Sequence, residues 1–312
     1  MKAYYNKERF RYLDNELMKR DIFDYKGDEL LYKTATIYDD NLNVYIDTSD
    51  GVNEELQINE YCGRILKVIE ETKGKKFLYF KSAYSPVWSK DIIDLAEKNN
   101  GKVIPFFKWS FNPNFYSDLL PRRKELTSMK NNVSKLFDVG FYSNLKPYLY
   151  PKPNKSNKLV SHSDYSKFGY GSSEDTGYYK NESRRNLYNR FKGSKFNWDF
   201  EEKIPYKEYL SRTFSCKTLI NTPGMGEYTS RMVDCCLLGQ CLILRKTSYD
   251  FGLSYQDYLP QVDFEKDGWE SELHNIIDNY KEYEEKSAAY FDDCWTPKPM
   301  VDFLVEKIEE RV

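Results

Sequence analysis

The stretch N221-TPGMGEYTSRMVDCCLLGQCLIL-R245 decides how the chain is read. An apolar run, Cys216 to Asn221, ends just where the quotation begins. Pro223, Gly224 and Gly226 then punctuate a turn. A helix of about three turns starts near Glu227 or Tyr228, and a second apolar run, Cys241 to Leu244, follows at once. Two short apolar runs separated by a helix-length segment predict a strand, a crossover helix and a parallel strand. The helix is apolar except for one stripe. Glu227, Arg231 and Asp234 recur at spacings of four and three and share a face.

Working outward, the same alternation recurs. Residues 61–74 have a helical period and stop at Gly74, and 75–84 read as a buried strand. Residues 85–101 form a helix with Pro86 near its start, and 102–110 another strand. The segment 43–51 reads as a strand running into a turn. In the second half, strands are expected at 136–145, 194–200 and 261–265, with helices at 182–193, 205–215, 268–291 and 298–312. Residues 161–177 are rich in glycine and serine and read as a long loop. The whole predicts an α/β protein of two Rossmann-like domains facing a cleft, a parallel sheet in each. The expected division is 1–135, 136–295, and a terminal helix at 296–312 crossing back to the first domain.

Composition narrows the partners. The chain has 312 residues, more than one hydrophobic core usually organises, which favours two domains. A net charge of −2 supplies no general attraction to nucleic acid or an anionic membrane. Aromatic residues make up 17%, a load better suited to core than to a binding platform. No apolar stretch reaches the length of a membrane span, and no secretory leader is read at the N-terminus. The six cysteines contain no C-x-x-C pair, and with His162 and His274 the only histidines, zinc ligation is a poor fit. Reduced thiols in a cytoplasmic protein are expected.

The quoted stretch also carries chemistry. Gly224 and Gly226 permit a tight turn and close approach of a ligand. The first turn of a helix has unpaired N–H groups and partial positive charge, which suits phosphate, and Thr229 and Ser230 add hydroxyls. Arg231 can grip a diphosphate with two parallel hydrogen bonds, and Asp234 can accept from a ribose diol. In the alternative, the glycines serve only the turn and Arg231 pairs with Glu227 or Asp234 along the helix. The spacing matches neither the Rossmann fingerprint nor a Walker loop.

The segment GEYTSRMVDCCLLGQCLIL resembles the donor-binding part of GT-B glycosyltransferases, above all exostosin-like ones. In that family a serine-bearing loop precedes an arginine, an acid follows three residues later, and a small-residue helix leads into an apolar strand. Ser230, Arg231, Asp234, Gly239 and Cys241–Leu244 occupy those positions. Retaining members carry two glutamates eight residues apart. Here Glu227 and Asp234 are seven apart, and Gly226 falls where the first acid would sit. The resemblance covers roughly residues 183–265.

It implies a hexosyl- or pentosyltransferase that moves a sugar from a UDP- or GDP-sugar to an acceptor hydroxyl, without a metal or resident cofactor. The donor would bind Ser143, Asn144, Arg184, Tyr206, Gly224, Gly226, Glu227, Tyr228, Thr229, Ser230, Arg231 and Asp234. Tyr209 is a further candidate beside the base. Catalysis would involve Glu227 and, for an inverting course, a carboxylate base from the first domain, Asp47 or Asp50. Two alternatives stand beside this. One is a glycosyltransferase acting on DNA bases, with Arg122, Arg123, Lys124 and the lysine-rich 146–158 lining a groove. The other is a sugar- or nucleotide-binding scaffold without catalysis.

Overall fold

A computed structural model describes residues 2–4, 7–20, 24–25, 34–38, 42–47, 65–66, 68–82, 90–107, 118–143, 145, 148–149, 171–173, 178–180, 182–202, 204–221, 230–246 and 255–311. The fold is mixed α/β and built on two larger sheets.

The second half holds five strands: β7 (Phe137–Tyr142), β11 (Trp198–Glu201), β12 (Cys216–Ile220), β13 (Cys241–Arg245) and β14 (Gln261–Val262). Their order is β11-β7-β12-β13-β14 and every pairing is parallel. Counted along the chain that is 2-1-3-4-5, a doubly wound order. Successive side chains of a strand point to opposite faces, and here both faces are covered. Leu219 and Leu242 pack into one core, while their neighbours Ile220 and Ile243 pack into another. This is why these strands read as unbroken apolar runs. The helices of this half are α5 (Glu182–Gly193), α6 (Tyr206–Phe214), α7 (Ser230–Leu237), α8 (Tyr255–Tyr258), α9 (Trp269–Asp278) and α10 (Tyr280–Tyr290).

Gly140 in β7 is demanded by packing. A Cβ there would stand 2.7 Å from a Leu219 methyl and 2.8 Å from the Cys216 sulfur.

The first half departs from the expected parallel sheet. Its strands are β1 (Lys2–Tyr4), β2 (Asp24–Tyr25), β3 (Thr34–Tyr38), β4 (Leu42–Asp47), β5 (Lys76–Ser82) and β6 (Gly101–Phe106). In the order β2-β1-β3-β4-β5-β6, β4, β5 and β6 continue one another in parallel and β1 pairs β2 in parallel. β3 runs antiparallel to both β1 and β4. The cause is connection length. Only residues 39–41 separate β3 from β4, enough to reverse the chain and far too few for a parallel crossover. The helices here are α1 (Lys7–Met18), α2 (within 65–72), α3 (Lys90–Glu97) and α4 (Arg123–Asn132), the last leading into β7.

Two further expectations are corrected. The glycine- and serine-rich 161–177 is not all loop, because β9 (Gly171–Ser173) pairs antiparallel with β10 (Tyr178–Lys180), which also pairs β8 (Tyr148–Leu149). The helix expected over 268–291 is two helices, broken at Asn279, whose φ of −107° and ψ of 19° leave the helical region.

A π-helical turn (Phe291–Trp295) leads into α11 (Pro297–Glu309). Phe303 of α11 meets the rings of Phe106 and Phe107 at 6.3 and 5.5 Å. Arg20 pairs with Asp302, and the Tyr12 hydroxyl donates to the Trp295 carbonyl at 2.7 Å. Among the described residues no helix is long and apolar enough to cross a membrane.

Candidate functional site

In a 2-1-3-4-5 sheet the chain winds one way from the first strand and the other way from the third, which opens a crevice at their carboxyl ends. Here those strands are β7 and β12. Ser143 follows β7 and Asn221 follows β12, and each is 4% exposed. The Asn221 amide donates to the Ile243 carbonyl at 2.8 Å and keeps β12 straight to its end. The chain therefore leaves β12 at the switch point. Gly224, Gly226, Glu227, Tyr228 and Thr229 lie outside the described residues, as do Asn144 and Asp50. The helix is described from Ser230 on, and its expected start near Glu227 or Tyr228 lies outside the described residues.

Arg231 and Asp234 stand on α7. Asp234 is buried. Arg231 is half-buried, and its guanidinium carbon lies 5.9 Å from the centre of the Tyr209 ring. No hydrogen bond or ion pair joins Arg231 to any described residue, Asp234 included. The intrahelical pairing of Arg231 with Asp234 is thus absent. A guanidinium supported by an aromatic ring spends no N–H donor on a protein oxygen, so its donors remain for another partner.

The ring beneath it is held from two sides. Tyr209 stacks on Tyr206 at 6.3 Å and meets the edge of Tyr142 at 5.7 Å. Tyr142, the last residue of β7, donates its hydroxyl to Asp199 at 2.6 Å. Arg212 grips the same carboxylate at 2.8 and 2.5 Å, with its guanidinium 5.8 Å from the Tyr142 ring. Burial opposes ionisation of Asp199, but the Arg212 fork and the Tyr142 hydroxyl outweigh it and hold the carboxyl below its usual range. Burial, with Cys216 and Asp199 nearby, pushes the Tyr142 phenol far up; burial does the same to Tyr209. Both stay neutral.

The remaining predicted residues separate. Arg184 is buried in the first turn of α5, whose next residue, Arg185, donates to the Leu145 carbonyl at 3.0 Å. That bond ties the head of α5 to the segment after β7, beside Ser143. Tyr206 lies one turn before Tyr209 on α6. Asp47 is in the other sheet, at the end of β4, fully buried, accepting the Tyr79 hydroxyl at 2.6 Å. Its register partner on β5 is Lys81, also fully buried.

The basic cluster at 122–124 is largely neutralised. Arg122 pairs with Asp118 and Glu125 at 2.7 Å each, and Arg123 with Asp292 at 2.5 Å. The described cysteines are free thiols; burial pushes Cys216 up to about 11 and Cys235 to about 12. Among the described residues no group of three or more His, Cys, Asp or Glu side chains could hold a metal ion.

Sequence reasoning did not single out Tyr142, Asp199, Arg212 or Asn221. Asp199 left one signal: an acid inside a short aromatic strand, Trp198-Asp199-Phe200, demands a buried cationic partner.

No protein-family model and no curated protein matches the chain. Among solved structures, the sucrose-phosphate synthase of Thermosynechococcus elongatus is similar, with 9% identity and a TM-score of 0.42 over 86% of this chain and 68% of that one.

Proposed function

We propose that the chain is a GT-B type glycosyltransferase that binds a nucleotide-diphosphate sugar at the carboxyl edge of the second sheet. The observation that carries this is Arg231: a half-buried guanidinium at the head of a helix, beside the switch point, with no acidic partner among the described residues. A helix head is already partly positive, so a cation there is unfavourable until an anion arrives. The resemblance of residues 183–265 to GT-B donor-binding segments makes that anion the diphosphate of a sugar donor.

In the reaction, the bond from the sugar's anomeric carbon to the diphosphate oxygen breaks and a bond to the acceptor oxygen forms. The acceptor proton passes to a base, and the electron pair stays on the diphosphate. Arg231 and the N–H groups opening α7 would take up that charge, work that needs no metal. Asp234, Ser143 and Arg184 would contact the donor, and the first half would hold the acceptor. For an inverting course Asp47 is a candidate base, and it would act from within its pair with Tyr79.

Thermal shift and calorimetry with UDP, GDP, CMP, TDP and their common sugar conjugates test the reading on wild type and Arg231→Ala. Stabilisation by one nucleotide, lost in the variant, is expected, because a ligand binding only the native state raises the melting temperature by mass action. No stabilisation by any of them would remove the donor site.

A further inference from the structure

We infer that Tyr209 is a positioning residue for Arg231, and that it sets the site's preference for a diphosphate over an uncharged nucleoside. The inference rests on the donor-site reading above.

An arginine side chain has four rotatable bonds, and a half-buried one must be held somewhere. Hydrogen bonds or ion pairs to the protein would use up the donors an oxyanion needs. Arg231 makes none to any described residue and is supported by a ring face instead. Its 5.9 Å separation lies within the reach of a cation–π contact. That contact spends no N–H donor on a protein oxygen and leaves the paired donors for two oxygens of a diphosphate.

The ring is itself fixed. Tyr206 stacks on it and Tyr142 meets it edge-on. Its hydroxyl is buried and makes no hydrogen bond to a described residue, so the ring contacts hold it. Tyr142 is locked by Asp199, and Asp199 by both arms of Arg212. A continuous run of contacts thus leads from β11 through the end of β7 and α6 to Arg231. Tyr206 and Tyr209 would then differ in role: Tyr209 works through the arginine, while Tyr206 forms the next layer.

The test is calorimetry with inorganic pyrophosphate, with each nucleoside diphosphate of the panel and with the matching nucleosides, on the whole chain. Tyr209→Phe keeps the ring and should bind diphosphates within twofold of wild type. Tyr209→Leu should bind pyrophosphate and the diphosphates about three- to tenfold more weakly, the range an exposed to partly buried cation–π contact supplies. Nucleoside binding should be unchanged. Placed on Arg231→Ala, Tyr209→Leu should have no further effect, because the two side chains act as one unit.

If Tyr209→Leu does not fold, progressively fluorinated phenylalanines at 209 replace it. Fluorination drains the ring's negative face at nearly constant volume, so diphosphate affinity should fall stepwise, a response that mere packing would not give. Wild-type affinity in Tyr209→Leu, a flat fluorination series, or an equal loss of nucleoside and diphosphate would each overturn the inference. Such results, with Arg231→Ala still losing the nucleotide, would leave the donor site standing. A wild-type chain that binds none of the probes would remove the donor site itself.

Discussion

The two ends of α7 hold their cations in opposite ways. At the tail, Lys130 donates to the Gly239 carbonyl and pairs with Glu284 at 3.2 Å. Arg123 donates to the Leu237 carbonyl at 2.8 Å and pairs with Asp292. Both cations thus cap carbonyls at the negative end of the helix dipole, and both meet an acid. Gly239, at a φ of +58°, completes a Schellman turn: Gln240 N–H donates to the Cys235 carbonyl at 2.9 Å and Gly239 N–H to the Cys236 carbonyl at 3.1 Å. At the head, Arg231 stands at the positive end with no acid in the first turn and no ion pair to a described residue. A cation that caps and pairs belongs to the fold. One that does neither is the candidate partner for the anion proposed above.

The sharpest way to break this comparison is at the tail. Lys130→Ala strips the buried Glu284 of its buried lysine partner. Glu284 retains Lys135 at 3.5 Å and Lys281 at 3.0 Å, but the Gly239 carbonyl is left without its side-chain donor. Breaking a buried pair by removing one partner costs about 3–5 kcal/mol. Urea unfolding should show the midpoint falling accordingly, and a loss below about 1 kcal/mol would mean the tail cluster is no more structural than the head.

Alkaline pH reaches the same helix through its thiols. Burial raises Cys235 from its usual value near 9 to about 12. A group raised in the folded state contributes stability that is complete below its unfolded pKa and is lost as pH rises through the folded one. The loss therefore runs from about pH 9 to about pH 12 and amounts to roughly 4 kcal/mol for a shift of this size. Lys130 has the opposite sign: burial lowers its pKa, so its contribution rises with pH up to its unfolded value of 10.5 and offsets part of the thiol's loss there. Melting temperatures from pH 8 to 11 should fall, and Cys235→Ala should flatten the decline. A parallel decline in that variant would assign the effect to other groups.

Gly239→Ala is a smaller test. Its Cβ would lie 3.2 Å from the Ala288 Cβ and 3.3 Å from the Glu284 carbonyl, in a left-handed conformation that side chains resist. A loss of about 1–2 kcal/mol is expected in the same unfolding assay. No loss would mean that α10 gives way easily beside the turn.

Much of this helix and its surroundings was legible in the sequence. The strand, helix and strand of 216–245 followed from apolar run lengths, and α5 (Glu182–Gly193) was placed to the residue. The antiparallel β3 was not, because a short polar link between two short apolar runs is local evidence that the charged, tyrosine-rich N-terminal segment masks. Within the site, the quoted stretch gave Arg231 and Asp234 by position, but not what surrounds Arg231. Tyr209, Tyr142, Asp199 and Arg212 come from α6, β7 and β11, and only the sheet order brings them together. Periodicity along one element carries no information about contacts between elements.

The smallest expected effect is the most informative. Arg231→Ala removes a cation that opposes the helix dipole, a relief of about 0.3–1 kcal/mol. It also removes the contact with Tyr209, worth about 0.5–1 kcal/mol. The two nearly cancel, so the unfolding midpoint should stay within about 0.5 kcal/mol of wild type. Function would then be bought at the head of α7 by a residue the fold does not need, as sites generally hold groups that stability alone would not select. A loss above about 1.5 kcal/mol in the ligand-free chain would show that Arg231 has a structural partner after all, and the contrast between the two ends would disappear.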